Sequence, residues 1–153
     1  MSFKLSVRSK GKLEGVHPDL VRVVTKAIQI TPVDFGVTQG LRTLEQQRAY
    51  VASGASKTMN SRHLTGHAVD VMAYIGREGR WDFGLYIQIA EAFRQAARIE
   101  GVPIRWGACW MRIDTSTEPL SSMVTRYVAQ CKERKEKPLI DGPHFELPKV
   151  LYP

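Results

Sequence analysis

Apolar positions along the chain alternate between helical and strand spacing. From Pro18 to Ile30, Leu20, Val23, Val24, Ala27 and Ile28 recur every three or four residues, which predicts an amphipathic helix with one buried stripe and Pro18 in its first turn. Val33 to Gln39 is short, β-branched and bounded by Pro32 and Gly40, as a strand is. Thr43 and Gln46 have the spacing of a capping box, opening a helix through about Ala52 that stops near Gly54. Ser53 to Arg62 reads as a polar loop and His67 to Tyr74 as a buried strand.

Asp82 to Glu100 carries Leu85, Tyr86, Ile89, Ala90, Phe93 and Ala97 on one helical face, and Gly101 ends it. A strand follows over Val102 to Trp106, then a helix over Ser121 to Lys137 whose last residues, KERKEK, read as a solvated face. Phe145 to Leu147 gives a last short strand before the Pro148 to Pro153 tail. Helices and strands interleave without a regular βαβ rhythm, so the expected class is α+β, with a small, mainly antiparallel sheet packed against helices. A chain of 153 residues supports one core, and a single domain over 1–153 is expected.

Composition removes several classes. No stretch approaches the roughly 20 apolar residues that cross a bilayer, and MSFKLSVRSKGKLEG lacks the apolar segment of a secretory signal, so synthesis in the cytoplasm is expected. In that compartment Cys109 and Cys131 are expected as free thiols. A net charge of +7 favours a polyanion, which admits nucleic acid, teichoic acid or the anionic bacterial envelope. The basic residues are scattered rather than clustered around aromatic platforms, which ranks a non-catalytic nucleic-acid- or wall-binding module low. A monomer is expected.

Chemistry concentrates in SRHLTGHAVDV, residues 61–71. Histidine and carboxylate are the usual ligands of a catalytic zinc, which takes three protein ligands and keeps a position for water. Strand alternation places Gly66, Ala68 and Asp70 on one face and His67, Val69 and Val71 on the other, so Asp70 pairs with His63 folded back from the preceding loop rather than with His67. A helical reading would pair His63 with His67, but Gly66, Val69 and Val71 oppose a helix. Of the other histidines, His17 sits where a helix cap or surface residue belongs. His144 lies in DGPHFEL, with Asp141 three positions ahead, an arrangement that suits a base beside a metal.

The pattern Ser61-x-His63-x-x-Gly66-x-Ala68-x-Asp70, followed far downstream by Asp141-x-x-His144, resembles the signature of the D-alanyl-D-alanine carboxypeptidase and dipeptidase family of zinc peptidases. Within it, the catalytic domains of phage endolysins acting as L-alanyl-D-glutamate peptidases look most similar. Gln39-Gly40-Leu41-Arg42-Thr43 with Glu45 and Gln47, and Trp106-Gly107 with Trp110, extend the resemblance over about residues 13–148. It implies the D-Ala-D-Ala peptidase (hedgehog-like) fold, Zn2+ held by His63, Asp70 and His144, Asp141 as general base and Arg42 as electrophilic helper. Trp106 and Trp110 would line the substrate cleft or pack the core. Ser61 would touch substrate, orient a ligand, or be a plain loop hydroxyl.

The implied activity is cleavage of the L-alanyl-D-glutamate bond of peptidoglycan, with a D-alanyl-D-alanine carboxypeptidase or dipeptidase as the rival. The implied setting is a lysin made in the host cytoplasm and released to the periplasmic wall by a holin-type pore. Two departures stand out. Residues 111–140 intervene between Trp110 and Asp141, an insertion at about 111–138 expected to cover the cleft or alter what docks there, and Ala108 and Cys109 stand where relatives often carry a glycine and an acidic residue.

Overall fold

The computed structural model describes residues 2–153. In chain order the helices are α1 (Val7–Lys12), α2 (Pro18–Ile30), α3 (Leu44–Ser53), α4 (Phe83–Glu100) and α5 (Leu120–Glu133), with one 3-10 turn at Arg62–Thr65. The strands are β1 (Asp34–Gln39), β2 (Ala68–Ile75), β3 (Glu78–Arg80), β4 (Arg105–Trp106), β5 (Met111–Arg112) and β6 (His144–Glu146). All pairings are antiparallel, in the order β1-β2-β6-β4-β5, with β3 on the far half of β2. This is the α+β architecture expected from the interleaved pattern.

Period-two alternation gives the sheet one dry face. Val69, Val71 and Ala73 of β2 join Phe35 and Val37 of β1 and Phe145 of β6 in the core, against the stripes of α2 and α4. Phe93 of α4 stacks on Phe145 with ring centroids 3.8 Å apart. The alternate residues of β2, Asp70, Met72 and Tyr74, face the other way and are only half-buried, leaving that face open for a site. Cys109 and Cys131 are buried and form no disulfide.

Several boundaries differ from the sequence reading. α1, β3 and β5 have 6, 3 and 2 residues, too few for a period to emerge. α1 lies against β1, where the Ser9 hydroxyl accepts the Val37 N–H at 2.9 Å. Of the strand expected at 102–106 only Arg105–Trp106 forms, because the Val102 N–H closes the end of α4 on the Ala97 carbonyl and the Ile104 N–H turns to Asp114. α5 stops at Glu133 rather than 137: Lys135 adopts φ 55° and the Glu136 N–H returns to the Cys131 carbonyl, so most of the KERKEK run lies beyond the helix. β2 begins at Ala68 rather than His67, since Gly66 takes φ 74° and ends the 3-10 turn.

Candidate active site

Asp70 of β2 and His144 of β6 are direct cross-strand partners, so their side chains leave the same face of the sheet side by side. Asp70 Oδ1 is 3.1 Å from His144 Nδ1. His63 arrives from the 3-10 turn, which Ser61 caps by accepting the His63 N–H and Gly66 closes. A Cβ at Gly66 would lie 2.4 Å from the Gly15 carbonyl oxygen, so only glycine lets the turn approach this closely. One ligand atom from each of His63, Asp70 and His144 can be chosen so that all lie within 4.8 Å of one another.

The His63 ring tests whether a metal fits. Its Nδ1 is 2.8 Å from the Gly40 carbonyl oxygen, which can only accept, so Nδ1 carries the proton and Nε2 presents a lone pair. That Nε2 is buried with no hydrogen-bond partner, 3.3 Å from Asp70 Oδ1. A lone pair facing a carboxylate in a buried site calls for a cation between them, and two imidazoles with one carboxylate are the donor set of a catalytic zinc. His63, Asp70 and His144 could hold a metal ion.

Electrostatics around the cluster are strongly coupled. Burial works against charge on Asp70, but the hydrogen bond from His144 and the closeness of the two imidazoles outweigh it and hold the carboxyl well below the usual range. Burial likewise opposes charge on His144, yet its contacts with Asp70 and Glu146 push its pKa up to about 9. Glu146, 5% exposed, sits on the same face of β6 two residues on, with Oε1 2.8 Å from His144 Nε2 and Oε2 3.7 Å from Arg105. This carboxylate would fix the imidazole with Nε2–H toward Glu146 and Nδ1 toward the cluster. The sequence reading missed Glu146, although strand alternation counted from His144 pointed to it.

Asp141 lies at the cleft beside these residues. Its N–H donates to the Gly107 carbonyl at 2.9 Å and its own carbonyl accepts the His144 N–H, the tight turn that Gly142-Pro143 permits. Burial and the neighbouring Asp70 charge raise its pKa. Arg42 points in from the loop after β1, its side chain 10% exposed and 4.0 Å from Asp70 Oδ2. Arg42 Nη1 donates to Gln47 Oε1 at 2.6 Å and its Nε and Nη2 to Gln39 Oε1, with the guanidinium over the Tyr50 ring. Gln47, fully buried on α3, also donates to the Ser56 hydroxyl and the Thr58 carbonyl, so one side chain braces both Arg42 and a wall of the cleft.

The cleft has a volume of about 500 Å³, with Ser61, Trp110, Leu139 and residues 54–58 around the cluster. Trp110 therefore reaches it, with its ring 5.2 Å from that of His144. Trp106 does not: it is wholly buried, lies between Phe83 and Phe145 and donates its indole N–H to the Gly142 carbonyl, so the cleft-lining alternative for this residue is corrected to core packing. Residues 111–138, expected to cover the cleft or alter what docks there, do not roof it either. None of residues 111–138 lines it; α5 instead packs beside α4. His67 turns away, with Nδ1 against Thr65 and its ring stacked on His17, and His17 caps α2 by accepting the Asp19 N–H.

Against known proteins, residues 1–148 match the family model described as phage L-alanyl-D-glutamate peptidase. The L-alanyl-D-glutamate peptidase of Escherichia phage T5 is 36% identical over 114 residues, covering 72% of this chain and 83% of that protein. The L-alanyl-D-glutamate peptidase of Listeria phage A118 is 36% identical over 78 residues, 51% of this chain and 27% of that longer protein. Among solved structures, the L-Ala D-Glu endopeptidase ChiX of Serratia marcescens superposes with a TM-score of 0.77 at 40% identity, over 99% of this chain and 95% of its own. With nearly its whole length matched and a cluster of two imidazoles and a carboxylate at the cleft, the chain belongs to the phage L-alanyl-D-glutamate peptidase family.

Proposed function

We propose that this protein is a zinc-dependent endolysin that hydrolyses the L-alanyl-D-glutamate bond of peptidoglycan stem peptides. The observation that carries the metal is His63 Nε2, buried, unpartnered and facing Asp70. His63, Asp70 and His144 would hold the ion. Bound zinc supplies a Lewis acid and brings a water to a pKa near 7 (about nine units below bulk).

The remaining chemistry belongs to the chain. Asp141 takes the proton of the attacking water and returns one to the leaving D-glutamate nitrogen; its raised pKa makes it a stronger base than an ordinary carboxylate. Arg42, fixed by Gln39 and Gln47, aims its guanidinium at the oxyanion that develops on the L-alanyl carbonyl. Trp110 and Ser61 contact the peptide. The net charge of +7 favours approach to the anionic envelope, and the protein acts as a monomer at the periplasmic wall after holin-type release from the cytoplasm. No helix among the described residues is long and apolar enough to cross a membrane.

The test is product analysis on purified peptidoglycan, with and without chelator. New L-alanine C-termini and D-glutamate N-termini, lost on chelation and restored by zinc, are expected. Release of free D-alanine would instead assign the carboxypeptidase or dipeptidase activity, and binding to wall without cleavage would make the protein a non-catalytic module.

A further inference from the structure

Helix α5 makes a polar contact with the segment leading to Asp141. The Tyr127 hydroxyl accepts the Leu139 N–H at 3.0 Å, and the Trp110 indole N–H donates to the Leu139 carbonyl at 2.8 Å. Both backbone polar groups of Leu139 are thus held by side chains, in a stretch with no helix or strand of its own. Two residues on, Asp141 is pinned through its N–H to Gly107.

Each jaw is itself anchored. Leu120, Met123, Val124 and Cys131 bury the inner side of α5, while Arg94 and Arg98 of α4 donate to the carbonyls of Glu118, Asp114 and Ser116 at its approach. Trp110 is held at φ 54°, a left-handed conformation that is strained for a non-glycine residue and persists where surroundings impose it. Its N–H goes to the Trp106 carbonyl at 2.7 Å and its carbonyl accepts from Arg105 Nε at 2.8 Å.

We propose that Tyr127 and Trp110 clamp Leu139 and thereby position the Asp141 carboxylate, so that the segment carrying α5 is a buttress behind the general base. Tyr127 lies outside the cleft and acts only through Leu139, as a positioning residue. The inference rests on the reading of Asp141 as base. Placement of a reacting group is worth large factors in rate, whereas the contact involves none of His63, Asp70 and His144.

Tyr127→Phe removes one oxygen without changing shape. Expected are a roughly 3- to 10-fold fall in kcat on peptidoglycan with KM within about twofold and zinc content unchanged, and faster amide exchange at Leu139 to Asp141. Arg126→Ala, one position away on α5 and paired only with Glu118, serves as the control and keeps wild-type kcat. The clamp is overturned if amide exchange over Leu139–Asp141 is unaltered in Tyr127→Phe, if kcat is unaltered, or if Arg126→Ala loses as much. Exchange needs no substrate, so a wild-type protein inactive on peptidoglycan would refute the proposed function while the clamp is still judged by exchange.

Discussion

His144 is held between two carboxylates, Asp70 Oδ1 3.1 Å from Nδ1 and Glu146 Oε1 2.8 Å from Nε2, and in the metal-free protein this makes it an imidazolium at neutral pH. Because its folded pKa, about 9, exceeds the ordinary 6.5, its contribution to stability is complete below pH 6.5 and disappears as pH rises through about 9. Asp70 and Glu146, both shifted downward, stay ionised across that window and do not offset it. Chelated protein should therefore lose several degrees of Tm between pH 6.5 and 9, a change of roughly 1–3 kcal/mol, measured by thermal melts in chelator. A flat profile would refute the pairing.

A metal takes the lone pair that a proton occupies on His144 Nδ1. Zinc binding near pH 7.5 should release between about one and two protons, one from His144 and part of another from the water at the metal, read by calorimetry in buffers of different ionisation enthalpy.

Glu146→Gln keeps the shape and removes the charge that orients His144. Zinc affinity, measured against a chromophoric chelator, should weaken about 10- to 100-fold. Affinity equal to wild type would mean that Glu146 is only a buried partner of Arg105.

Ligand and base separate by metal content. His63→Ala should lose zinc and activity together, whereas Asp141→Ala should retain zinc and lose about 10²- to 10⁴-fold in kcat. Metal analysis beside turnover checks both, and an active Asp141→Ala would remove Asp141 from the mechanism.

Gly107 faces the backbone of the Asp141 turn, where an added Cβ would lie 2.5 Å from the Asp141 carbonyl oxygen and 2.8 Å from His144 Cβ. Gly107→Ala should cost about 1–3 kcal/mol of stability by forcing that turn outward. At temperatures where the variant remains folded it should also lower kcat, as melts and single-turnover assays would record.

Local pattern was enough for much of this protein. The stripes of α2 and α4, the Thr43–Gln46 cap and the density of β2 are properties of neighbouring residues, so they were legible without a fold. The divergence of His67 from Asp70 followed from strand alternation, since successive side chains must leave opposite faces. Lys135, by contrast, takes a left-handed turn that the helical reading of 121–137 ran through, and the 2-residue strands have no period to read.

What the sequence determined alone was which residue types stand at which local spacing, because helix stripes, caps and strand alternation depend only on neighbours a few positions apart. The tertiary structure decided which distant groups share one space. Register between β2 and β6 puts His144 opposite Asp70, the Gly40 carbonyl selects the proton-bearing nitrogen of His63, and packing buries Trp106 while leaving Trp110 half-buried at the cleft. It also set α5 beside α4, where Tyr127 meets Leu139, a contact across 12 residues that no local rule specifies.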